Sequence, residues 1–236
     1  MAGIDFESGL GLIRLVDPED IQPVTLGNAS GIDRGQLTLT IGDSTEAEAR
    51  IVTNGRIFNT SSFIGYWEYL LERALYVVPQ NPAFGGSPLF NIEGEVIGIV
   101  SLQLNQHQGM NLAIPIELLY EIEAELIRFG RVRSRKPRTW TGIYHAPFQK
   151  GVMVVEVMPD GPAHKAGIQK GDIITHIEGT RIKTEEQFLR RLWEIRIGKE
   201  FQITFWRHNA EETLTIKGMD FYDFYDVSGP TGFQGH

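Results

Sequence analysis

The sequence predicts a mainly β chain with a few helices, divided into two compact units by a short basic stretch. Three observations carry this. Through residues 1–115, short runs rich in β-branched and aliphatic residues are punctuated by Asn, Asp, Gly and Pro, the pattern of a sandwich or barrel rather than of alternating strand–helix units. One amphipathic helix follows at 116–129. A second strand-rich unit with its own helix then occupies 139–218, and 236 residues suit either one large domain or two modest ones.

In chain order, Leu10–Val16, Gln36–Ile41, Ala49–Thr53 and Val96–Leu102 read as strands. Tyr66–Leu75 is ambiguous: Glu68 and Glu72 stand four apart as on a helix, yet Tyr76–Val78 resumes strand character. In the helix, Leu118, Leu119, Ile122, Leu126 and Ile127 recur at helical spacing. Pro115 stands just ahead of it and Gly130 just behind, as helix ends favour. The run Arg131, Arg133, Arg135, Lys136 and Arg138, broken by Pro137, reads as a solvated linker. The expected divisions are therefore 1–115, 116–138, 139–218 and a tail 219–236. In the third, Val152–Val157 and Asp172–Ile177 read as strands, and Thr184 caps a helix running to Glu194. Phe201–Trp206 and Thr213–Ile216 pair across the loop Arg207–Glu211. The tail mixes Phe221, Tyr222, Phe224, Tyr225 and Phe233 with Asp220, Asp223 and Asp226, and reads equally as docked or disordered.

The 42% apolar content supplies packed cores, and the 22% charged content argues against wholesale disorder. A net charge of −8 argues against a nucleic-acid partner. With no cysteine, disulfides, thiol nucleophiles and thiolate metal sites are excluded. The first thirty residues carry no basic segment followed by an apolar run, so no signal peptide is visible. No stretch approaches the ~18 apolar residues needed for a membrane span.

The stretch Gly151-Val-Met-Val-Val-Glu-Val-Met-Pro-Asp-Gly-Pro-Ala-His-Lys-Ala-Gly-Ile-Gln-Lys-Gly-Asp-Ile-Ile, continuing to Glu178-Gly179, is the most specific signal. It closely resembles bacterial PDZ domains, whose signature is a strand, PxGPAxxAGLxxGDxI, an isoleucine-rich strand and xGxxI. The resemblance implies a groove between a sheet-edge strand and a helix, where an extended peptide adds as another strand. It also implies that backbone N–H groups ahead of the edge strand hold the ligand's terminal carboxylate, and Trp140, Thr141, Gly142 and Ile143 match that loop. Ile143 with Phe188, Leu189 and Leu192 would line the pocket for the last side chain, although each helix residue reads equally well as plain core. His145 reads as an exposed loop residue.

The stretch Asn81-Pro-Ala-Phe-Gly-Gly-Ser-Pro-Leu-Phe-Asn-Ile-Glu-Gly-Glu-Val-Ile-Gly-Ile resembles NPGNSGGPLFNxxGEVIGI of HtrA/Deg-type trypsin-fold proteases. Asn111-Leu-Ala-Ile-Pro-Ile is similar to the GFAIPI strand before that family's exit helix. The departures matter. The family's nucleophilic serine falls on Gly85, and its catalytic aspartate falls on Gly9 within Ser8-Gly-Leu-Gly-Leu-Ile-Arg-Leu. The strand with the catalytic histidine would lie upstream, and none of His107, His145, His164, His176, His208 and His236 stands in such a motif. A serine hydroxyl needs a positioned histidine to remove its proton and a carboxylate to orient that histidine. Ser87 lies two residues along from the nucleophile position, and a ~1 Å misplacement already costs about 100-fold, so it is set aside. His164 and His176 lack acidic partners at ligand spacing, so neither a metal nor another cofactor is expected. Asp5, Glu7, Asp17, Glu19 and Asp20 read as surface charges on turns.

The resemblance places the start of the chain late in the first of two trypsin-type barrels. That implies a second barrel with its first barrel largely missing, followed by a PDZ domain. The chain then reads as a piece of a longer, exported protein, or as one whose exposed cleft wall is covered by another copy. The expected function is a non-catalytic HtrA-like pseudoprotease that binds peptide or protein C-termini. A serine endopeptidase lacking its upstream half and a scaffold docking other subunits are the alternatives.

Overall fold

The computed structural model describes residues 2–16, 21–44, 49–104 and 109–225. The chain divides into two compact units: one of residues 1–63 and 71–132, the other of residues 64–70 and 133–236.

The first unit contains β1 (Gly3–Asp5), β2 (Leu10–Leu12), β3 (Leu37–Ser44), β4 (Ala49–Gly65), β5 (Tyr69–Val78), β6 (Pro88–Phe90), β7 (Val96–Leu104), β8 (Met110–Pro115) and α1 (Glu117–Phe129). Six strands close a barrel in the order β3-β4-β5-β8-β7-β6. Its interior collects Ile57, Leu75, Val77, Leu89, Ile97, Val100 and Ala113, alternate inward positions as a pleated strand dictates. The helical option for Tyr66–Leu75 is not taken. Residues 66–68 form a turn and β5 follows, because Leu75, Tyr76 and Val77 pair with Ala113, Leu112 and Asn111 of β8; barrel pairing overrides an i,i+4 coincidence.

Helix α1 buries Ile122 and Leu126 and ends at Gly130 (φ +74), whose N–H donates to the Leu126 carbonyl. Strand β1 lies against that end: a Cβ on Gly3 would stand 2.7 Å from the Leu126 oxygen, so only glycine fits. The expected strand over Leu10–Val16 is shorter, reaching only Leu12, where its pairing with β1 stops. Ile13 and Val16 are 79% and 102% exposed. Asp5 is no surface charge: it is 1% exposed, and its Oδ2 accepts the Ser8 N–H at 3.0 Å. Glu7 is half-buried, and Asp17, Glu19 and Asp20 lie outside the described residues.

The second unit contains β9 (Ile143–Phe148), β10 (Gly151–Val157), α2 (Pro162–Ala166), β11 (Ile173–Ile177), β12 (Thr180–Arg181), α3 (Glu185–Glu194), β13 (Glu200–Arg207), β14 (Ala210–Lys217) and α4 (Phe221–Phe224). The sheet runs β14-β13-β11-β10-β9, with β12 beside β11, so β9 ends the path. Strands β13 and β14 meet through His208 and Asn209, both at positive φ (49° and 64°), the backbone of a two-residue hairpin turn whose twist matches the strands. Helix α3 starts at Thr184, whose Oγ1 accepts the Gln187 N–H at 3.2 Å. Its Phe188, Leu189 and Leu192 pack into one core with Val152, Val154, Ile174, Ile203 and Phe205.

Two expectations are corrected here, and one left open is narrowed. His145 is not on an exposed loop; it lies on β9 with 0% exposure. The basic stretch is not wholly solvated: the Arg138 guanidinium lies 3.9 Å from the Trp193 ring centroid, and Lys136 Nζ donates to the Glu194 carbonyl at 3.4 Å. Of the tail, Phe221 and Phe224 dock on Trp140, with ring centroids 5.1 and 4.6 Å away; Asp226, Phe233 and His236 lie outside the described residues, as does His107.

Candidate functional site

The loop Thr139–Gly142 delivers the chain to edge strand β9. Its carbonyls are committed: Trp140 O accepts from Met219, Thr141 O from Ala163 and Gly142 O from Met158, at 3.1, 2.9 and 2.8 Å. In a planar trans peptide the N–H points opposite to the C=O, so fixing the Trp140 and Gly142 carbonyls aims the Thr141 and Ile143 N–H groups to the other side. Gly142 makes the turn at φ +80, and a Cβ there would stand 2.9 Å from the Met158 Cβ. Glycine is required on both counts.

Those two N–H groups are not open. Residues 64–70 belong to the same unit, and the Glu68 carboxylate accepts from the Thr141 N–H at 3.0 Å, the Ile143 N–H at 2.8 Å and the Thr141 hydroxyl at 2.5 Å. Burial pushes the Glu68 carboxyl above its ordinary value, and these three donors together with His145 oppose that rise. Two residues earlier, the Tyr66 carbonyl accepts from the β9 N–H of His145 at 2.7 Å. Leu70 (2% exposed) joins the buried cluster that holds Ile143, Phe188, Leu189 and Leu192, and Ile64 packs against it. The structure thus brings the loop, the edge strand and the three helix residues together, with an internal carboxylate where a free loop was expected. Nothing in the sequence ties Glu68 to a loop 73 residues away; its spacing to Glu72 pointed to a helix instead. The Trp140 ring packs against Phe221 and Phe224 of the tail. His145 also belongs to the site: its Nδ1 stands 2.9 Å from Glu185 Oε1 on α3.

The protease-like positions lie in the first unit. Gly85 is exposed, and a Cβ there would meet nothing within 4 Å, so no steric demand explains the glycine. Gly86 (φ +79) commits its N–H to the Val100 carbonyl at 2.9 Å. Ser87 is 6% exposed and donates its hydroxyl to the Ala83 carbonyl at 2.5 Å. Gly9 sits in the turn between β1 and β2 at φ +78. An open groove of about 540 Å³ lined by Leu37, Ile41, Phe90 and Ile92 carries no titratable side chain. Among the described residues no three His, Cys, Asp or Glu side chains gather as a metal site.

The architecture defines a trypsin-like barrel unit and a PDZ unit in one mainly β chain. Comparison with known proteins agrees: a trypsin-like peptidase domain matches residues 1–99 and a PDZ domain residues 127–217. A probable periplasmic serine endoprotease DegP-like of Halomonas elongata is 25% identical over 250 residues, covering 97% of this chain and 50% of that protein. A serine protease Do-like HtrA of Bacillus subtilis is 25% identical over 92% of this chain and 54% of its own length. Among solved structures, a serine endoprotease from Yersinia pestis superposes with a TM-score of 0.54 at 25% identity, over 93% of this chain and 74% of that one. The HtrA-type protease AlgW with a decapeptide gives 0.52 at 25% identity, over 86% and 66%. The chain is thus similar to HtrA-type proteases with a C-terminal PDZ domain, and it spans about half the length of the curated relatives it matches.

Proposed function

We propose that this chain is a non-catalytic HtrA-like protein whose PDZ unit binds extended peptide segments or C-termini by strand addition at β9. The observation that supports this best is a carboxylate already held by the Thr141 and Ile143 N–H groups, beside a sheet edge and α3. A loop with donors for one carboxylate has them for another. AlgW was solved with a decapeptide, and by likeness peptides are the ligand class here. The periplasmic naming of relatives supports an exported location.

Gly85 and Gly9 support the non-catalytic half of the reading: neither supplies a hydroxyl nor a carboxylate, whatever precedes the chain. The relatives' names favour a serine endopeptidase instead. The two readings separate on incubation of the full chain with casein and a serine-directed fluorophosphonate. No labelling and no cleavage are expected. Gly85→Ser, which has room for its side chain, is expected to fold within ~0.5 kcal/mol of the parent and to stay unlabelled. Labelling or hydrolysis by the parent, abolished by Ser87→Ala, would establish the endopeptidase.

A further inference from the structure

We infer that residues 64–70 are an internal ligand of the PDZ groove, so that an external peptide binds only by displacing them. This rests on the peptide-binding reading above and says how that site is regulated and what it selects. The segment occupies the groove as a ligand would. Its Tyr66 carbonyl takes the β9 N–H of His145, and two residues on, the Glu68 carboxylate takes the loop N–H groups of Thr141 and Ile143. The contacts run in opposite order along the two stretches, a backbone bond from 145 to 66 and a side-chain carboxylate at 68 receiving the N–H of 143. Leu70 supplies the apolar side chain among Ile143, Phe188, Leu189 and Leu192. Three features of an ordinary C-terminal ligand are therefore met by an uninterrupted stretch of chain: a backbone hydrogen bond to the edge strand, a carboxylate and an aliphatic plug.

The same geometry costs something that a plain connection would avoid. Glu68 holds φ +61, a conformation few residues other than glycine adopt, and the residue is only 9% exposed. A mere turn needs neither. Both follow if the role of the residue is to present a carboxylate to the loop. The seated segment also describes the ligand that would replace it. Such a peptide ends in a free carboxylate on an aliphatic residue and carries an aromatic residue two places earlier, where Tyr66 stands 5.7 Å from the Tyr144 ring.

The probe is therefore an N-terminally fluorescein-labelled Ile-Gly-Tyr-Trp-Leu with a free C-terminus, compared with its C-terminal amide. Fluorescence anisotropy against the full chain and its Glu68→Gln and Glu68→Ala variants reads the competition, because a site mostly occupied by its own chain weakens apparent affinity by the open fraction. The free acid is expected to bind both variants about ten-fold or more tighter than the parent, and the amide to bind none of the three. In the parent, saturating probe is expected to raise amide hydrogen exchange across 64–70, a readout that needs no substitution. Equal affinity for parent and variants, or bound probe with 64–70 still protected, overturns the internal ligand and leaves peptide binding standing. Failure of all three proteins to distinguish acid from amide overturns the peptide-binding reading, and the internal ligand with it.

Discussion

A buried carboxylate facing three hydrogen-bond donors is pulled two ways, and at Glu68 burial wins, raising its carboxyl. A raised acid stabilises its seated form fully below the ordinary glutamate value of 4.5 and loses that contribution as pH climbs through the raised value. Seating of 64–70 therefore weakens as pH rises above that point. A peptide's terminal carboxyl, ordinarily near ~3.5, stays ionised throughout. Apparent probe affinity is expected to rise as pH climbs above 4.5 in the parent and to rise less in Glu68→Gln. His145 and Tyr144 of β9, and Glu185 beside His145 on α3, are present around position 68 in both proteins, so the difference isolates the Glu68 carboxyl. An unchanged difference across that range would remove Glu68 from the competition. At this scale the sequence was legible where chemistry is local. Gly142 stands where only glycine fits. Glu68 was illegible because its partners come together only on folding.

At the scale of elements, the Pro-Ala-His-Lys-Ala-Gly and Gly-Asp signals predict a short helix, a left-handed exit and a turn into a strand. The structure has α2, Gly167 at φ +94 and Gly171 at φ +94 before β11. The signature also has a buried anchor that pattern alone does not reveal. Asp172, 1% exposed, receives Arg207 Nε and Nη2 at 2.7 and 2.6 Å and the Gln169 N–H at 2.8 Å, pinning the turn after α2 to the end of β13. Removing one partner leaves a buried charge uncompensated, so Arg207→Ala is expected to destabilise the second unit by about 3 kcal/mol or more. Urea denaturation followed by tryptophan fluorescence checks this, and a loss under ~1 kcal/mol would show the pair to be peripheral. Misreadings at this scale share one cause. Tyr66–Leu75 and His145 were judged by neighbours in sequence, whereas β8 settles the first and burial against Phe188 and Glu185 the second.

For the whole molecule, the mainly β class, the order of barrel, helix and PDZ unit, and the likeness to HtrA-type proteases were all legible from two motif-bearing stretches and one helix. What was not legible is that residues 64–70, the end of β4, the turn and the start of β5, group with the second unit, since chain order gives no sign of it. On the proposed function, the chain holds peptide ends and does not cut peptides. Native mass spectrometry of the full chain with unlabelled Ile-Gly-Tyr-Trp-Leu tests both halves at once. The predicted spectrum shows the chain plus one intact peptide with the free acid and no adduct with the amide. Equal adducts with both, none with either, or a peptide shortened by hydrolysis would contradict it.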